Sequence, residues 1–325
     1  MYRVKRRLSP VRFFVTLLIA LLLAVPAMAA DYPSKPIKIY YGYRAGGTAH
    51  TSLQPLARAL EEILDTPVVL VEKSGAGATI AGGLVSRAKP DGYTLGLIKS
   101  TTITTAPHEL KLPYSPSLDL THLFAYAGPA SAFAVRADAP WQNWEEFIDF
   151  ANQNPGKAAW TATAKTGTQY LLMKHIGKME GIDWNGVPVK GGSNAMKLVL
   201  GGQVDGYASS GSHVSHVKSG SARVLVDFGI KSSFAGVPTL EGLGYKGLAI
   251  KGEPYIIVGP KGLPEDIRDT LVAAFIQAAQ APEYVKIAQK FNMQQMNLHG
   301  DELEAMLTEG SALVTMLLES ADESK

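Results

Sequence analysis

Three times in its first hundred residues the chain runs from a short apolar stretch into a loop of Gly, Ser and Thr, and twice from that loop into helical spacing. The apolar stretches fall at residues 37–41, 68–71 and 93–98. The loops are YGYRAGGTAHTS at 41–52, Ser74-Gly75-Ala76-Gly77, and Lys99-Ser100-Thr101-Thr102. After the first loop, Leu53, Leu56, Ala57, Leu60, Ile63 and Leu64 make one apolar face of a helix. Strands that alternate with helices imply an α/β fold with a mostly parallel sheet, whose ligand crevice lies at the C-terminal ends of the strands. Within the first loop, Gly46-Gly47 allows a tight turn and close approach of a ligand, and Thr48 or Thr51 is expected to cap the helix. Free N–H groups at a helix start favour an anion. This loop is therefore a candidate carboxylate or phosphate cradle, with an ordinary βα turn as the plainer alternative.

The pattern returns further on. Residues 103–125 read as irregular, with Pro107, Pro113 and Pro116. Strands are expected at 123–126 and 132–136, and a helix at 141–153 in which Trp141 and Trp144 are packed. A strand at 158–163 leads into Ala164-Lys165-Thr166-Gly167-Thr168-Gln169 and a helix from Tyr170 through Ile176. That repeats the first loop and adds the charge of Lys165, a second anion cradle. Short strands at 187–189, 204–208 and 223–228 follow, the second running into Ser209 and Ser210. Apolar extended sequence returns at 255–258, Pro264 opens a helix, and a last helix spans about 301–318. The order is one α/β unit, a second, then segments that complete the first, so that two domains share a cleft able to hinge.

The N-terminus bounds the compartment. Arg3, Lys5, Arg6, Arg7 and Arg12 precede an apolar run at 13–25 and Ala27-Met28-Ala29, the pattern of a secretory signal peptide of residues 1–29 cleaved near Ala29. The run is too short to favour a membrane span. Whole, the chain has 31 basic and 29 acidic residues. Without the five basic residues of the signal the balance is 26 against 29, or −3. The basic excess is thus an export feature and gives no argument for nucleic acid. Cysteine is absent, which excludes disulfides, thiolate metal sites and a lipidated N-terminal cysteine. The mature protein is expected to be free, periplasmic and monomeric.

Enzyme motifs do not assemble. Ser215-His216-Val217-Lys218 fits S-x-x-K and Lys165-Thr166-Gly167 fits K-T-G, but in the reverse of the penicillin-binding order and without S-D-N. Gly75-Ala76-Gly77 fails the dinucleotide pattern because Ile80 stands where a small residue is needed. His213 and His216 lack a third metal ligand at helpful spacing. Asp91, Asp205 and Asp227 sit near turns or strand ends, with nothing pairing them as acid and base. The alternative from another class is an exported serine hydrolase using Ser209, Ser210 or Ser215.

The ordered motifs YPSKPIKI, Gly46-Gly47, Glu72-Lys73-Ser74-Gly75-Ala76-Gly77, Pro90-Asp91-Gly92-Tyr93-Thr94-Leu95, Val189-Lys190-Gly191-Gly192 and Gly201-Gly202-Gln203-Val204-Asp205 give the chain a clear likeness. It resembles the receptors of tripartite tricarboxylate transporters, the Bug family. The resemblance implies a type II-like periplasmic binding protein of two α/β domains, here 30–126 plus 249–325 and 127–248, each a mixed, mostly parallel sheet flanked by helices, with a small organic acid closed between them. It implies delivery to a membrane permease, with no catalysis, cofactor or metal required. A binding protein serving signalling or another transporter type is the nearer alternative. By the resemblance, the carboxylate is held by Tyr43, Arg44, Gly46, Gly47, Thr48 and His50 in one domain. In the other it is held by Lys165, Thr166, Gly167, Thr168 and Gln169. Ser100 and Thr101 match a third cleft loop, and Ser209 and Ser210 a strand end where the family often has Asp. Two departures stand out. His50 replaces the usual Asp, and Arg44 and Lys165 add charge to loops that are more often neutral. His50 or Lys165 is expected to contact the ligand anion through charge-assisted hydrogen bonds.

Overall fold

The computed structural model describes residues 32–322. The expected signal segment, residues 1–29, lies outside the described residues. From Lys35 onward the chain forms one compact unit.

The first part follows the sequence pattern. β1 (Ile37–Tyr41), α1 (Thr48–Leu64), β2 (Val68–Glu72), α2 (Thr79–Val85) and β3 (Thr94–Lys99) alternate, and β1 pairs in parallel with both β2 and β3. Ile37, Ile39, Leu95 and Leu97 are fully buried, as are Leu53, Leu56 and Leu60 of α1. Past β3 the stretch expected to be irregular holds two short helices, α3 (Ser100–Thr104) and α4 (Ala106–Glu109). Pro107 lies in the first turn of α4, where its missing N–H has no helical partner to lose.

Only Ala130 separates β4 (Leu120–Pro129) from β5 (Ser131–Arg136), yet β4 joins the first sheet and β5 the second. This is the first crossing between the sheets. α5 (Trp144–Gln153) starts later than its apolar spacing suggests, because Asn143 accepts from the Glu146 N–H and fixes the cap there. Trp141 and Trp144 are nonetheless both packed in the core beside Phe147. β6 (Ala159–Ala162), α6 (Thr168–Glu180), β7 (Asn185–Pro188), α7 (Gly192–Leu200), β8 (Gly206–Ser210), α8 (Val214–Lys218) and β9 (Ala222–Asp227) complete the second sheet, ordered β7-β6-β8-β5-β9. Gly206 admits no side chain, since an added Cβ would lie 2.2 Å from the Phe133 ring.

Residues 228–254 cross back to β10 (Tyr255–Pro260), α9 (Glu265–Ala278), α10 (Pro282–Lys290), β11 (Met293–Leu298) and α11 (Gly300–Asp322). The first sheet has the order β11-β4-β10-β3-β1-β2. Both sheets are mixed, and less parallel than the opening alternation suggests. The crossing strands impose this: β10 runs antiparallel to β3 and β4, and β5 antiparallel to β8 and β9.

The last helix binds the two cores together. Leu303, Met306 and Leu307 pack with Ile98, Ile256 and Val258 of the first sheet. Leu317 packs with Trp144, Leu172 and Phe228 on the second. β10, β11 and the start of α11 thus belong with the first sheet, while the end of α11 lies in the core of the second. Among the described residues no helix is long and apolar enough to cross a membrane.

Candidate ligand-binding site

Two loops share one construction. After β1, the Gly47 N–H donates to the Arg44 carbonyl at 3.3 Å, and after β6, the Gly167 N–H donates to the Ala164 carbonyl at 3.3 Å. Each glycine is the N-cap of a long helix, α1 or α6, and neither helix start has a side-chain cap. Thr48 and Thr51 are therefore not caps. The turn at Gly46 passes through φ 81°, which glycine alone adopts without strain, and this places Gly47 ahead of the first threonine. The N–H groups of residues 48–50 and 168–169 are left without intrahelical acceptors, while the Tyr170 N–H already donates to the Gly167 carbonyl at 2.9 Å.

His50 has a specific task in the first loop. Its Nδ1 accepts the Gly46 N–H at 3.1 Å, the acceptor role that a carboxylate could fill at that position, without the negative charge. The Tyr41 ring lies beside it, 5.1 Å between centroids. Next to it Glu72 accepts from the Ala45 N–H at 3.0 Å and from the Ser74 hydroxyl at 2.9 Å. Those two hydrogen bonds, Ser74 first, hold the Glu72 carboxyl below its usual value, with smaller help from Arg44 and His50.

The two sheets meet at a residue the sequence did not single out. Glu253, in the returning segment and 4% exposed, accepts from Lys99 Nζ at 2.6 Å, from the Ser210 hydroxyl at 2.6 Å and from Gln169 Nε2 at 2.9 Å. Lys99 Nζ also donates to Ser210 Oγ at 2.9 Å, and Gln169 Nε2 to Ser131 Oγ at 2.9 Å. Burial raises the Glu253 carboxyl, but Lys99, Ser210 and Gln169 together outweigh it and hold the pKa below the usual value. Tyr43 packs edge-on against Tyr255, ring centroids 5.6 Å apart. Burial first, then Tyr255, raises the Tyr43 phenol well above its usual value despite the hydrogen bond with Thr102, so it stays a proton donor.

A cavity of about 330 Å³ opens beside this junction, lined by Ser100, Thr101, Thr168, Glu253 and residues of α11. The structure thus brings Tyr43, Ser100, Thr101, Thr168, Gln169 and Ser210 together around Glu253. Ser209 is buried behind them, its carbonyl accepting from Ser131. Arg44, Gly46, Gly47, Lys165 and Thr166 are exposed, Thr48, His50 and Gly167 half-buried, and none of these lines the cavity. Tyr41 and Tyr170 are packing residues, the latter against Trp160 at 4.9 Å. The acids singled out earlier hold backbone: Asp91 accepts from the Tyr93 N–H, Asp205 from Ala159, and Asp227 from Gly229 and Ser233. Ser215 is exposed, and His213 is buried against Phe234. No cluster able to hold a metal occurs among the described residues. Glu253 escaped the sequence reading because a lone acid in Lys251-Gly252-Glu253-Pro254 carries no pattern; only the fold supplies its partners.

Two mixed sheets with flanking helices, crossed twice by the chain and bridged by a last helix, define a solute-binding protein of the periplasmic type. The family described as tripartite tricarboxylate transporter family receptor matches residues 53–322, and the chain belongs to it. It is a binding receptor and not an enzyme. The match begins past the Gly46-Gly47 loop, so that loop rests on its geometry. A Cupriavidus necator protein, the UPF0065 protein in the gbd 5' region, is 33% identical over 277 residues, 84% of each chain. Protein BugT of Bordetella pertussis is 27% identical over 269 residues, 81% of this chain and 82% of BugT. Among solved structures, a TctC solute-binding protein from Polaromonas aligns with a TM-score of 0.77 at 25% identity, over 89% of this chain and 99% of that one.

Proposed function

We propose that the chain is exported to the periplasm, captures a small organic carboxylate between two lobes, and hands it to the membrane permease of a tripartite transporter. The lobes are 30–126 with 249–325, and 127–248. One observation carries the reading: the uncapped starts of α1 and α6, built on matching turns and following strands of different sheets. Each offers N–H groups and the positive end of a helix dipole to an anion. His50 and Lys165 stand at these two loops and add donors for the carboxylate. A ligand that touches both loops favours the closed arrangement because it makes both sets of contacts only there.

The test is a thermal-shift screen of residues 30–325 against mono-, di- and tricarboxylates and aromatic acids, with sugars and amino acids as controls. A ligand of the folded state alone stabilises it by about 2.7 kcal/mol at roughly 100 times its dissociation constant. A shift confined to acids is the expected result. A shift with sugars and none with acids overturns the reading.

A further inference from the structure

By the resemblance Gln169 helps to hold the ligand carboxylate, but the structure leaves its side chain no proton for that. Gln169 stands in the first turn of α6 and is 7% exposed. Its Nε2 donates to Glu253 Oε1 at 2.9 Å and to Ser131 Oγ at 2.9 Å. Neither bond can run the other way. The Glu253 carboxyl is held below its usual value, so it is ionised and only accepts. Ser131 spends its single hydroxyl proton on the Ser209 carbonyl at 3.0 Å, so towards Gln169 it too only accepts. Both amide protons are therefore used, and the carboxamide has one orientation.

The carbonyl oxygen, Oε1, is what remains. Among the described residues no protein group donates to it, and it is not sealed from solvent. An amide oxygen carries lone pairs and no proton, so it repels a carboxylate and binds a donor. The network around it selects the donor. An ammonium group would need a counter-ion, and the carboxylate at hand, Glu253, already accepts from Lys99, Ser210 and Gln169. A hydroxyl needs none. The backbone N–H of the same residue is one of the free groups at the start of α6. The second loop thus offers donors for a carboxylate from its backbone and one acceptor from its side chain.

We infer that Gln169 Oε1 accepts a hydrogen bond from a hydroxyl of the ligand, so that the receptor selects hydroxy acids over the same acids without the hydroxyl. The inference rests on the receptor reading above and names the ligand class of that site. Gln169 is then a specificity residue, its amide oriented by Ser131 and Glu253.

The experiment is titration calorimetry of residues 30–325 with three matched sets: lactate, propionate and alanine; malate, succinate and aspartate; mandelate, phenylacetate and phenylglycine. In the set that binds most tightly, the hydroxy acid should exceed the plain acid by at least about fivefold, the worth of one hydrogen bond to a neutral amide. It should also bind more tightly than the amino acid. Gln169→Met has a similar length and no amide acceptor, and should bring the ratio of hydroxy to plain acid to about one. Loss of the bonds to Ser131 and Glu253 alone would weaken both acids alike and leave that ratio as it was. Circular dichroism confirms the native fold of the variant, and the wild-type comparison needs no variant. A wild-type ratio of one or below, an amino acid as the tightest member, or an unchanged ratio in the folded variant overturns the inference and leaves the receptor reading standing. Binding of no acid at all overturns both.

Discussion

Removing the charge of Glu253 would leave Lys99 without a counter-ion at a mostly buried junction. Glu253→Gln should therefore destabilise the protein by about 3–5 kcal/mol, whereas the double change Lys99→Met with Glu253→Met should recover most of that loss. Urea unfolding of the variants measures both. The sign with pH follows from the lowered carboxyl. Its stabilisation is complete above the usual glutamate value and is lost only as pH falls through the lower folded value. The Gln variant should thus differ from wild type fully at pH 7 and progressively less in strong acid. His213 works at milder acidity. Burial, with a smaller push from His216, lowers its imidazole from 6.5 to about 3. The unfolded chain then binds a proton that the folded chain refuses, so stability falls as pH drops from 6.5 towards 3, by at most roughly 1.4 kcal/mol per pH unit. His213→Phe should flatten that slope in urea melts at pH 7, 5 and 4. At this scale the sequence was an uneven guide. Gly46 was readable, because a tight turn before a helix calls for a positive φ. Glu253 was not, because its meaning lies in neighbours from distant segments.

Among the elements, α11 joins the two halves most directly. Leu317, fully buried, anchors its end in the second core, so Leu317→Ala should cost about 2–5 kcal/mol. Guanidinium unfolding followed by tryptophan fluorescence reads it, since all four tryptophans, at 141, 144, 160 and 184, belong to that core. A loss under 1 kcal/mol would mean the helix end is only laid against the surface. Elements with strong apolar periodicity were legible in the sequence, α1 above all. β11 was not, because it is an edge strand whose Met-Gln-Gln-Met-Asn-Leu buries little beyond Met293. α3 was masked by Ser and Thr, which favour helix starts over interiors. The start of α5 was hidden by Trp141, which packs in the core from outside the helix.

For the whole molecule, the α/β class and the division into two sheets could be read from alternating strands and loops. The antiparallel direction of β5 and β10 could not, since local spacing does not say which way a strand runs beside its neighbours. The junction at Glu253 joins Lys99 of the first sheet to Ser210 of the second and to Gln169 of α6, and the proposed receptor closes its two lobes around a ligand. The most direct test of that account is hydrogen–deuterium exchange of residues 30–325 with and without the acid that gives the largest thermal shift, at millimolar concentration. The account predicts slowed exchange at both helix starts together, residues 48–50 and 168–169. Protection at one start alone, or at neither while the acid is bound, would contradict capture between two lobes.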